Sequence, residues 1–411
     1  MLTAAEAERL IFTLVAPVQG VDTVPLADCL GRVLAEPVCS DLDFPHWDNS
    51  AMDGYAVRAV DVAQVPATLQ VVEEIPAGTR PKVEIEKGQA ARILTGAMMP
   101  AGADSVVMQE ETEQVQGGEQ VKILAAPKVG SFVRSRGSFY QAGAELLRAR
   151  RAISPAEIAL LAAAQQTQVK AYRRPRVAII STGSELVEPD RPLEPGQIVD
   201  SNQYALAALV AQTGAVPVSL GIVTDEREAV KAAIERALSQ ADMVLSSGGV
   251  SVGDYDYVDA VLEELGATLH IRSVAVKPGK PLTVADFDST RPSAIARQIY
   301  FGLPGNPASA MVGFWRFVAP AIQQLSGIEE APSLPFVWAK ATSALTAGGK
   351  RETYLWGDLR ATEVGYEFGR AAGSHSSGNL VNLASASGLG IVPIGETRIA
   401  VGERVRVLVC R

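Results

Sequence analysis

The chain contains few of the residues that build permanent metal or disulfide sites. Among its 411 residues only three are cysteine and three are histidine. The cysteines have neither the spacing of a zinc site nor that of a disulfide framework, and the histidines are isolated from them and from one another. His375, in the polar loop 374–378, is expected to be a surface residue rather than a base. A permanent His/Cys transition-metal site is therefore not expected. If this protein handles a soft metal, the sulfur ligands must come from its substrate.

Long apolar runs and a surplus of positive charge are also missing. No stretch approaches the roughly 20 apolar residues that cross a bilayer. The N-terminus lacks the basic segment and apolar run of a signal peptide. It predicts instead the start of a helix, with Thr3 as N-cap and Glu6 three residues later. The formal net charge of −9 argues against nonspecific binding to nucleic acid or to acidic membranes. We therefore expect a cytoplasmic protein that binds neither nucleic acid nor membrane.

Length and periodicity predict a multi-domain protein of α/β and β type, because the chain exceeds one hydrophobic core. Alternating strands and helices predict a central doubly wound, mostly parallel sheet. The expected domains are an elongated helical domain (1–45 plus 141–175), an inserted small β-domain (46–140), the α/β domain (176–327) and a C-terminal small β-barrel-like domain (328–411).

Polar loops are predicted to follow the strands of the α/β domain. The predicted strands are 177–181, 215–223, 242–246 and 298–302, and the predicted helices are 202–213, 225–239, 257–265 and 307–325. In open α/β sheets, ligands bind beyond the carboxyl ends of the strands. Those ends carry segments 181–185, 246–256, 276–281 and 302–309. We therefore expect the functional site at this edge of the sheet.

Segment 246–253 combines three glycines with three serines just before a helix. Glycine lets backbone N–H groups approach a phosphate, and a helix N-terminus favours negative charge. The alternative is a βα turn that needs only positive φ. Glu185, Asp225, Asp254 and Asp256 lie at the same edge, where they would repel a phosphate unless Mg²⁺ lay between them. Asp225 and Asp254 could instead be helix caps.

Two lysines in a stiff turn predict an oxyanion site. Lys277 and Lys280 frame a Pro-Gly pair, which holds their ammonium groups in place. Pro304 and Pro307 stiffen the last loop, and the hydroxyl of Ser309 in the following helical turn could reach an anion. The residues alone thus predict a protein that binds an anionic, nucleotide-like ligand with Mg²⁺.

Six polar motifs occur in a fixed order: DNSAMDGYA at 48–56, RILTGA at 92–97, STGSE at 181–185, SSGGVSVGD at 246–254, KPGKP at 277–281 and GLPGNP at 302–307. Together they resemble the motifs of the molybdopterin molybdenumtransferases, the family of bacterial MoeA and of the C-terminal domain of gephyrin. The motifs span residues 48–307, and the four-region layout resembles the family over the whole chain.

The resemblance implies an enzyme that inserts molybdate into adenylylated molybdopterin with release of AMP and with Mg²⁺ as cofactor. The implied catalytic residues are Asp53, Thr95, Glu185, Asp225, Asp256, Lys277 and Lys280. The implied pterin-adenylate site comprises Ser247, Gly248, Gly249, Ser251, Gly253, Asp254, Pro304 and Pro307. The implied Mg²⁺ ligands are Asp225 and Asp256. The implied molybdate site comprises Lys277, Lys280, Ser309, Arg351 and Ser377.

The resemblance also implies a homodimer whose cleft lies between the α/β domain of one subunit and the β insertion of the other. A molybdopterin adenylyltransferase and apo-molybdoenzymes are the implied protein partners. Two alternatives remain. A molybdopterin adenylyltransferase would need only the α/β domain, so the remaining 260 or so residues count against it. A non-catalytic scaffold that binds molybdopterin or molybdate is disfavoured by the full set of acids and lysines.

Overall fold

The computed structural model describes residues 1–249, 257–288, 297–329 and 335–410. The chain forms two compact units. One comprises Met1–Glu36, Ala149–Pro155 and Gln168–Arg411, and the other comprises Pro37–Arg148 and Ala156–Thr167. The finer division into four domains stays a prediction.

A six-stranded sheet forms the centre of the first unit. Its strands, which we call the first to the sixth in chain order, are Arg176–Thr182, Val216–Val223, Met243–Ser247, Ala267–Ser273, Pro281–Phe287 and Gln298–Leu303. Their spatial order is second, first, third, sixth, fifth, fourth. The second, first, third and sixth strands are parallel. The fifth strand runs antiparallel to the sixth, and the fourth runs antiparallel to the fifth, so only the fifth is reversed in this sheet. These last two strands, which flank the lysine turn, were missing from the sequence prediction.

Helices cover both faces of this sheet, as predicted for a doubly wound fold. Val177 and Ile179 of the first strand pack into one core, while Ala178 and Ile180 pack into the other, because successive strand residues point to opposite faces. The helices are Asn202–Gln212, Arg227–Gln240, Val258–Glu264, Pro307–Gly313 and Ala319–Leu325.

The predicted helix over 307–325 is confirmed, and its backbone is helical throughout. A π-helical segment, Phe314–Val318, separates its two α-helical parts. Pro320 has no N–H with which to continue the α-helical ladder, so the hydrogen-bond pattern changes just before it.

The N-terminal helix Ala4–Leu14 begins with the predicted capping box. Thr3 Oγ1 accepts a hydrogen bond from the Glu6 amide at 3.2 Å, and Glu6 Oε2 accepts one from the Thr3 amide at 2.8 Å. The helix packs into the core on one face of the sheet. After it, strand Val21–Pro25 pairs with strand Gln168–Tyr172, which joins two segments that were assigned to one discontinuous domain.

The C-terminal part of the first unit contains the expected β-barrel. Its strands are Phe336–Ala341, Glu352–Thr362, Gly365–Arg370, Gly388–Val392 and Arg404–Val409. The second of these pairs with the fourth, which closes the five strands into a ring. The short strand Val276–Lys277 also pairs, in parallel, with the first two residues of the barrel strand Glu352–Thr362. The lysine turn is therefore attached to the barrel.

The second unit is built on another six-stranded sheet. Its strands, in spatial order, are Ser105–Met108, Gly54–Val57, Gln89–Ile93, Ala67–Ile75, Gln120–Ile123 and Thr112–Val115. Shorter elements of this unit are the strand pairs Val38–Cys39 with Glu145–Leu147 and Asn49–Ser50 with Val133–Arg134, and most of the helix Pro155–Ala163. Shorter elements of the first unit are the strand pairs Leu186–Val187 with Ile198–Val199 and Leu345–Thr346 with Arg398–Ile399, and the helix Val381–Ala384. In the described ranges, no helix has the length and apolarity needed to cross a membrane.

Candidate active site

A cavity of about 1130 Å³ in the first unit is lined by the loops that follow the parallel strands of the central sheet. The sequence-predicted site residues that line it are Glu185, Asp225, Ser247, Gly248, Gly249, Lys277, Lys280, Pro304, Pro307, Ser309, Arg351 and Ser377. Four other predicted residues, Ser251, Gly253, Asp254 and Asp256, lie outside the described residues. The cavity lies where the strand-end rule placed it.

A tight glycine turn follows the third strand. Gly248 and Gly249 have φ values of +94° and +63°. A Cβ atom on Gly248 would lie 2.3 Å from the carbonyl oxygen of Thr182, a distance that no side chain can occupy. The turn therefore needs glycine for close packing as well as for positive φ.

Asn202 fixes this turn against the last loop, although the sequence did not single it out. Its Nδ2 donates to Ser247 Oγ at 2.6 Å and to the Gly305 carbonyl at 2.8 Å. The Gly248 amide donates to the Leu303 carbonyl at 3.1 Å. Because Asn202 is buried at the start of a helix, these bonds hold two loops of the cavity in a defined position.

Three cations, Lys277, Lys280 and Arg351, line the cavity. Lys277, Lys280 and Arg351 form no ion pair within the described part of the chain. Arg351 instead donates to the carbonyl of Val276, the residue before Lys277, at 3.2 Å. In a protein of net charge −9, a group of cations without partners is typical of an anion-binding site.

Two serine-bearing segments meet beside these cations. The amide of Ala308 donates to the carbonyl of Ser377 at 2.9 Å. This bond attaches the 374–378 loop to the helix that contains Ser309. On the other side, the Cβ position of Gly279 is 3.4 Å from the Ser309 carbonyl. The lysine turn, the Ser309 helix and the Ser377 loop are therefore neighbours.

Asp225 is not the helix cap that its sequence position allowed. The helix begins at Arg227, and its N-cap residue, Glu226, makes no side-chain cap bond. Asp225 Oδ2 accepts from the Ser184 amide at 3.1 Å, while the Asp225 amide donates to Ser184 Oγ at 3.3 Å. These bonds hold the carboxylate at the cavity wall.

Asp225 is the only one of the two proposed Mg²⁺ ligands that the structure describes. Among the described residues, no three carboxylate, histidine or cysteine side chains are grouped closely enough to hold a metal. One or two carboxylates are sufficient for Mg²⁺ when phosphate oxygens and water supply the other ligands. The placement of Asp225 fits that mode of binding.

Asp53 and Thr95 contact each other in the second unit. Asp53 Oδ1 accepts hydrogen bonds from the Thr95 amide and from Thr95 Oγ1, both at 2.7 Å. These bonds lower the pKa of the Asp53 carboxyl from its ordinary value. Two motifs separated by about 40 residues in sequence thus form one polar pair.

His375 is not the surface residue that was expected. It lines the cavity and is half-buried, and its ring stacks on Trp356 with the centroids 4.5 Å apart. Its Nε2 donates to the Ala371 carbonyl at 2.9 Å. Burial is the main cause that lowers the pKa of His375 from its ordinary value.

A buried polar network beneath the cavity was also missed. Arg316 donates to the hydroxyl of Tyr354 at 3.0 Å and to Glu8 at 2.9 Å, and the Tyr354 hydroxyl donates to Glu352. Burial raises the pKa of Tyr354 well above its ordinary value. The only sequence signal was that Arg316 is the single charged residue of the helix over 307–325. This network anchors the barrel strand that follows Arg351.

Three family models match successive parts of the chain. The MoeA N-terminal region (domain I and II) matches residues 2–165, a probable molybdopterin binding domain matches 178–324, and the MoeA C-terminal region (domain IV) matches 339–410. The fold and the cavity therefore define a MoeA-type protein whose central α/β domain is of the molybdopterin-binding class.

Individual relatives agree with this class. The molybdopterin molybdenumtransferase of Nostoc sp. is 55% identical over 99% of this chain and 94% of its own length. That of Bacillus subtilis is 35% identical over 94% of this chain and 89% of its own. A solved structure of a molybdopterin biosynthesis MoeA protein from Pyrococcus horikoshii is similar with a TM-score of 0.83 at 27% identity, covering 100% of both chains.

This chain belongs to the molybdopterin molybdenumtransferase family, whose members are transferases of molybdenum cofactor biosynthesis. The matches extend far beyond the α/β domain. They therefore favour this family over the adenylyltransferase alternative, which would need that domain alone.

Proposed function

We propose that this chain inserts molybdate into adenylylated molybdopterin, with release of AMP and with Mg²⁺ bound to the substrate. The observation that carries the proposal is the pairing of two anion-binding features in one cavity. One is the glycine turn at Gly248, and the other is the group of cations formed by Lys277, Lys280 and Arg351. Two separate anions, a phosphate and an oxyanion, suit such a cavity.

The cations and the serines are proposed to hold molybdate. Lys277 and Lys280 supply compact positive charges, and Arg351 supplies a planar fork that can bind two oxygens. The hydroxyls of Ser309 and Ser377 can donate further hydrogen bonds. An oxyanion held in this way is oriented for capture by the dithiolene sulfurs of the pterin. The sulfur then comes from the substrate, as the scarcity of cysteine and histidine requires.

The glycine turn is proposed to hold the phosphates. Gly248 and Gly249 line the cavity with backbone that a phosphate can approach, whereas their Cβ positions point at Thr182 and Val258. Asp225, with Asp256 as expected from the family resemblance, would bind Mg²⁺, which would offset phosphate charge as the adenylate leaves. Glu185 lies in the same wall and is proposed to act in the same step.

We also propose that the protein works as a homodimer, with Asp53 and Thr95 of one subunit serving the cavity of the other. Asp53→Ala and Lys277→Gln homodimers should each be inactive. Mixed dimers would place both lesions in one cleft and leave the other intact, so about half of the per-dimer activity should return. Mixed dimers that remain inactive after confirmed subunit exchange would contradict a shared site.

The substrate assignment is tested by AMP release from adenylylated molybdopterin. Release should need both molybdate and Mg²⁺. A Lys277→Gln/Lys280→Gln variant should lose affinity for molybdate much more than for the pterin adenylate. A control with two exposed lysines outside the cavity replaced, Lys87→Gln/Lys340→Gln, should behave as the wild type. Equal losses for both ligands in the cavity variant would assign the lysines to phosphate instead.

A further inference from the structure

Asp200 is a buried carboxylate in the wall of the cavity, and none of the motifs contains it. It directly follows the short strand Ile198–Val199 and is only 2% exposed. Its Oδ1 accepts a hydrogen bond from the Gln203 amide at 3.1 Å. Its Oδ2 is buried and has no partner among the described residues.

Helix capping accounts for only one of the two carboxylate oxygens of Asp200. Oδ1 satisfies an amide of the first helical turn, a task that Asn or Ser performs about as well. The second oxygen gains nothing from that bond. A buried carboxylate oxygen without a donor is costly, whereas a ligand that supplies an N–H group would offset the cost. The cavity wall is where such a donor can arrive.

The surroundings of Asp200 suit a flat ring. Leu186, Ile198 and Val199 line the same cavity, and Ile198 is 53% exposed although it is apolar. The strands that contain these three residues pair in parallel. A second buried group in this wall, Thr182 Oγ1, also lacks a partner among the described residues. An apolar surface beside hydrogen-bonding groups is typical of a heterocycle site.

We propose that Asp200 binds the amino-bearing heterocycle of the substrate, accepting a hydrogen bond from its amino group while Leu186, Ile198 and Val199 cover the ring. This inference rests on the proposed function, because that reaction supplies a ligand with two such rings, a pterin and an adenine. Both carry an exocyclic amino group. The acidic and apolar wall would thus bind a ring of the substrate, whereas the group of cations would bind molybdate.

The test compares two probes, AMP and 6-hydroxymethylpterin, by titration of the full-length protein. Asp200→Asn and Asp200→Ser both keep a helix-capping oxygen, so the fold should be retained. The matched control is Asp61→Asn, because Asp61 Oδ2 also accepts a backbone amide, that of Gly88 at 3.0 Å, but lies outside the cavity. Both Asp200 variants should bind one of the probes roughly 10-fold or more weakly, with molybdate affinity unchanged and with a Tm no lower than that of the wild type.

The identity of the affected probe assigns the ring: loss for AMP indicates adenine, and loss for the pterin indicates pterin. Unchanged affinity for both probes would overturn the proposal, as would failure of the wild type to bind either. The proposed function is judged separately by molybdate insertion. A wild type that binds a probe through Asp200 but inserts no molybdate would refute the function alone. Insertion by a protein whose Asp200 variants bind both probes normally would refute this inference alone.

Discussion

Replacement of Gly248 by alanine should damage both the stability and the phosphate site of this protein. Gly248 has a φ of +94°, and an added Cβ would lie 2.3 Å from the Thr182 carbonyl oxygen and 2.8 Å from its Oγ1. Alanine at positive φ costs about 1 kcal/mol. Forcing a methyl group into packed backbone costs about 1–3 kcal/mol more. The expected loss is therefore about 2–4 kcal/mol.

A matched substitution separates these two costs. Gly266 has a φ of +82°, but its Cβ would meet no atom within 4 Å. Gly266→Ala should therefore show the conformational cost alone, about 1 kcal/mol. The difference between the two variants measures how closely the glycine turn packs on Thr182.

The assay is thermal unfolding together with titration by AMP. Gly248→Ala should have a clearly lower Tm than Gly266→Ala. It should also lose most of its affinity for AMP, because relief of the clash must move the turn that receives phosphate. If Gly248→Ala and Gly266→Ala had equal Tm values and Gly248→Ala bound AMP like the wild type, the glycine turn would not be packed closely on Thr182.

Three further perturbations test other parts of the site. Arg351→Lys should weaken molybdate binding about tenfold, measured by calorimetry, because lysine lacks the two-pronged donor geometry; an unchanged affinity would remove Arg351 from the site. Thr95→Val should raise the pKa of Asp53 in an NMR titration, since one of the two bonds that lower it is lost. The stability that Asp53 gains from its bonds to Thr95 is present above the unfolded-state pKa of Asp53 and is lost as the pH falls through its folded-state pKa. For His375 the folded-state pKa is lowered by burial, so the unfolded chain takes up the proton first. The wild type should therefore lose Tm relative to His375→Gln as pH falls from about 7 to 5; a parallel pH dependence would contradict the burial of His375.

The location of the site could be predicted from sequence because it depends on local rules. Strands of the parallel sheet end at one edge, so the polar segments after them had to converge. Glu185, Gly248, Lys277 and Pro304 follow different strands, and all line one cavity. The capping box at Thr3 was equally local, and it is present as predicted.

Other parts of the site could not be predicted because they depend on contacts distant in sequence. Arg316 pairs with Glu8 across 308 positions, and no local pattern links the two. The sequence predicts only that Asn202 begins a helix. Its hydrogen bonds to Ser247 and Gly305 depend on the three-dimensional arrangement of the loops. His375 occurs in a polar loop, and only the position of Trp356 shows that its ring is covered.

Reconstitution of a molybdenum-free apo-molybdoenzyme is the most direct test of whether this protein inserts molybdate into adenylylated molybdopterin. The mixture would contain this protein, adenylylated molybdopterin, molybdate and Mg²⁺, with AMP and enzyme-bound molybdenum both measured. We expect one AMP to be released for each molybdenum inserted, and activation of the apoenzyme to fail when the Lys277→Gln/Lys280→Gln variant replaces the wild type. AMP release without molybdenum capture, or equal activation by that variant, would contradict this expectation.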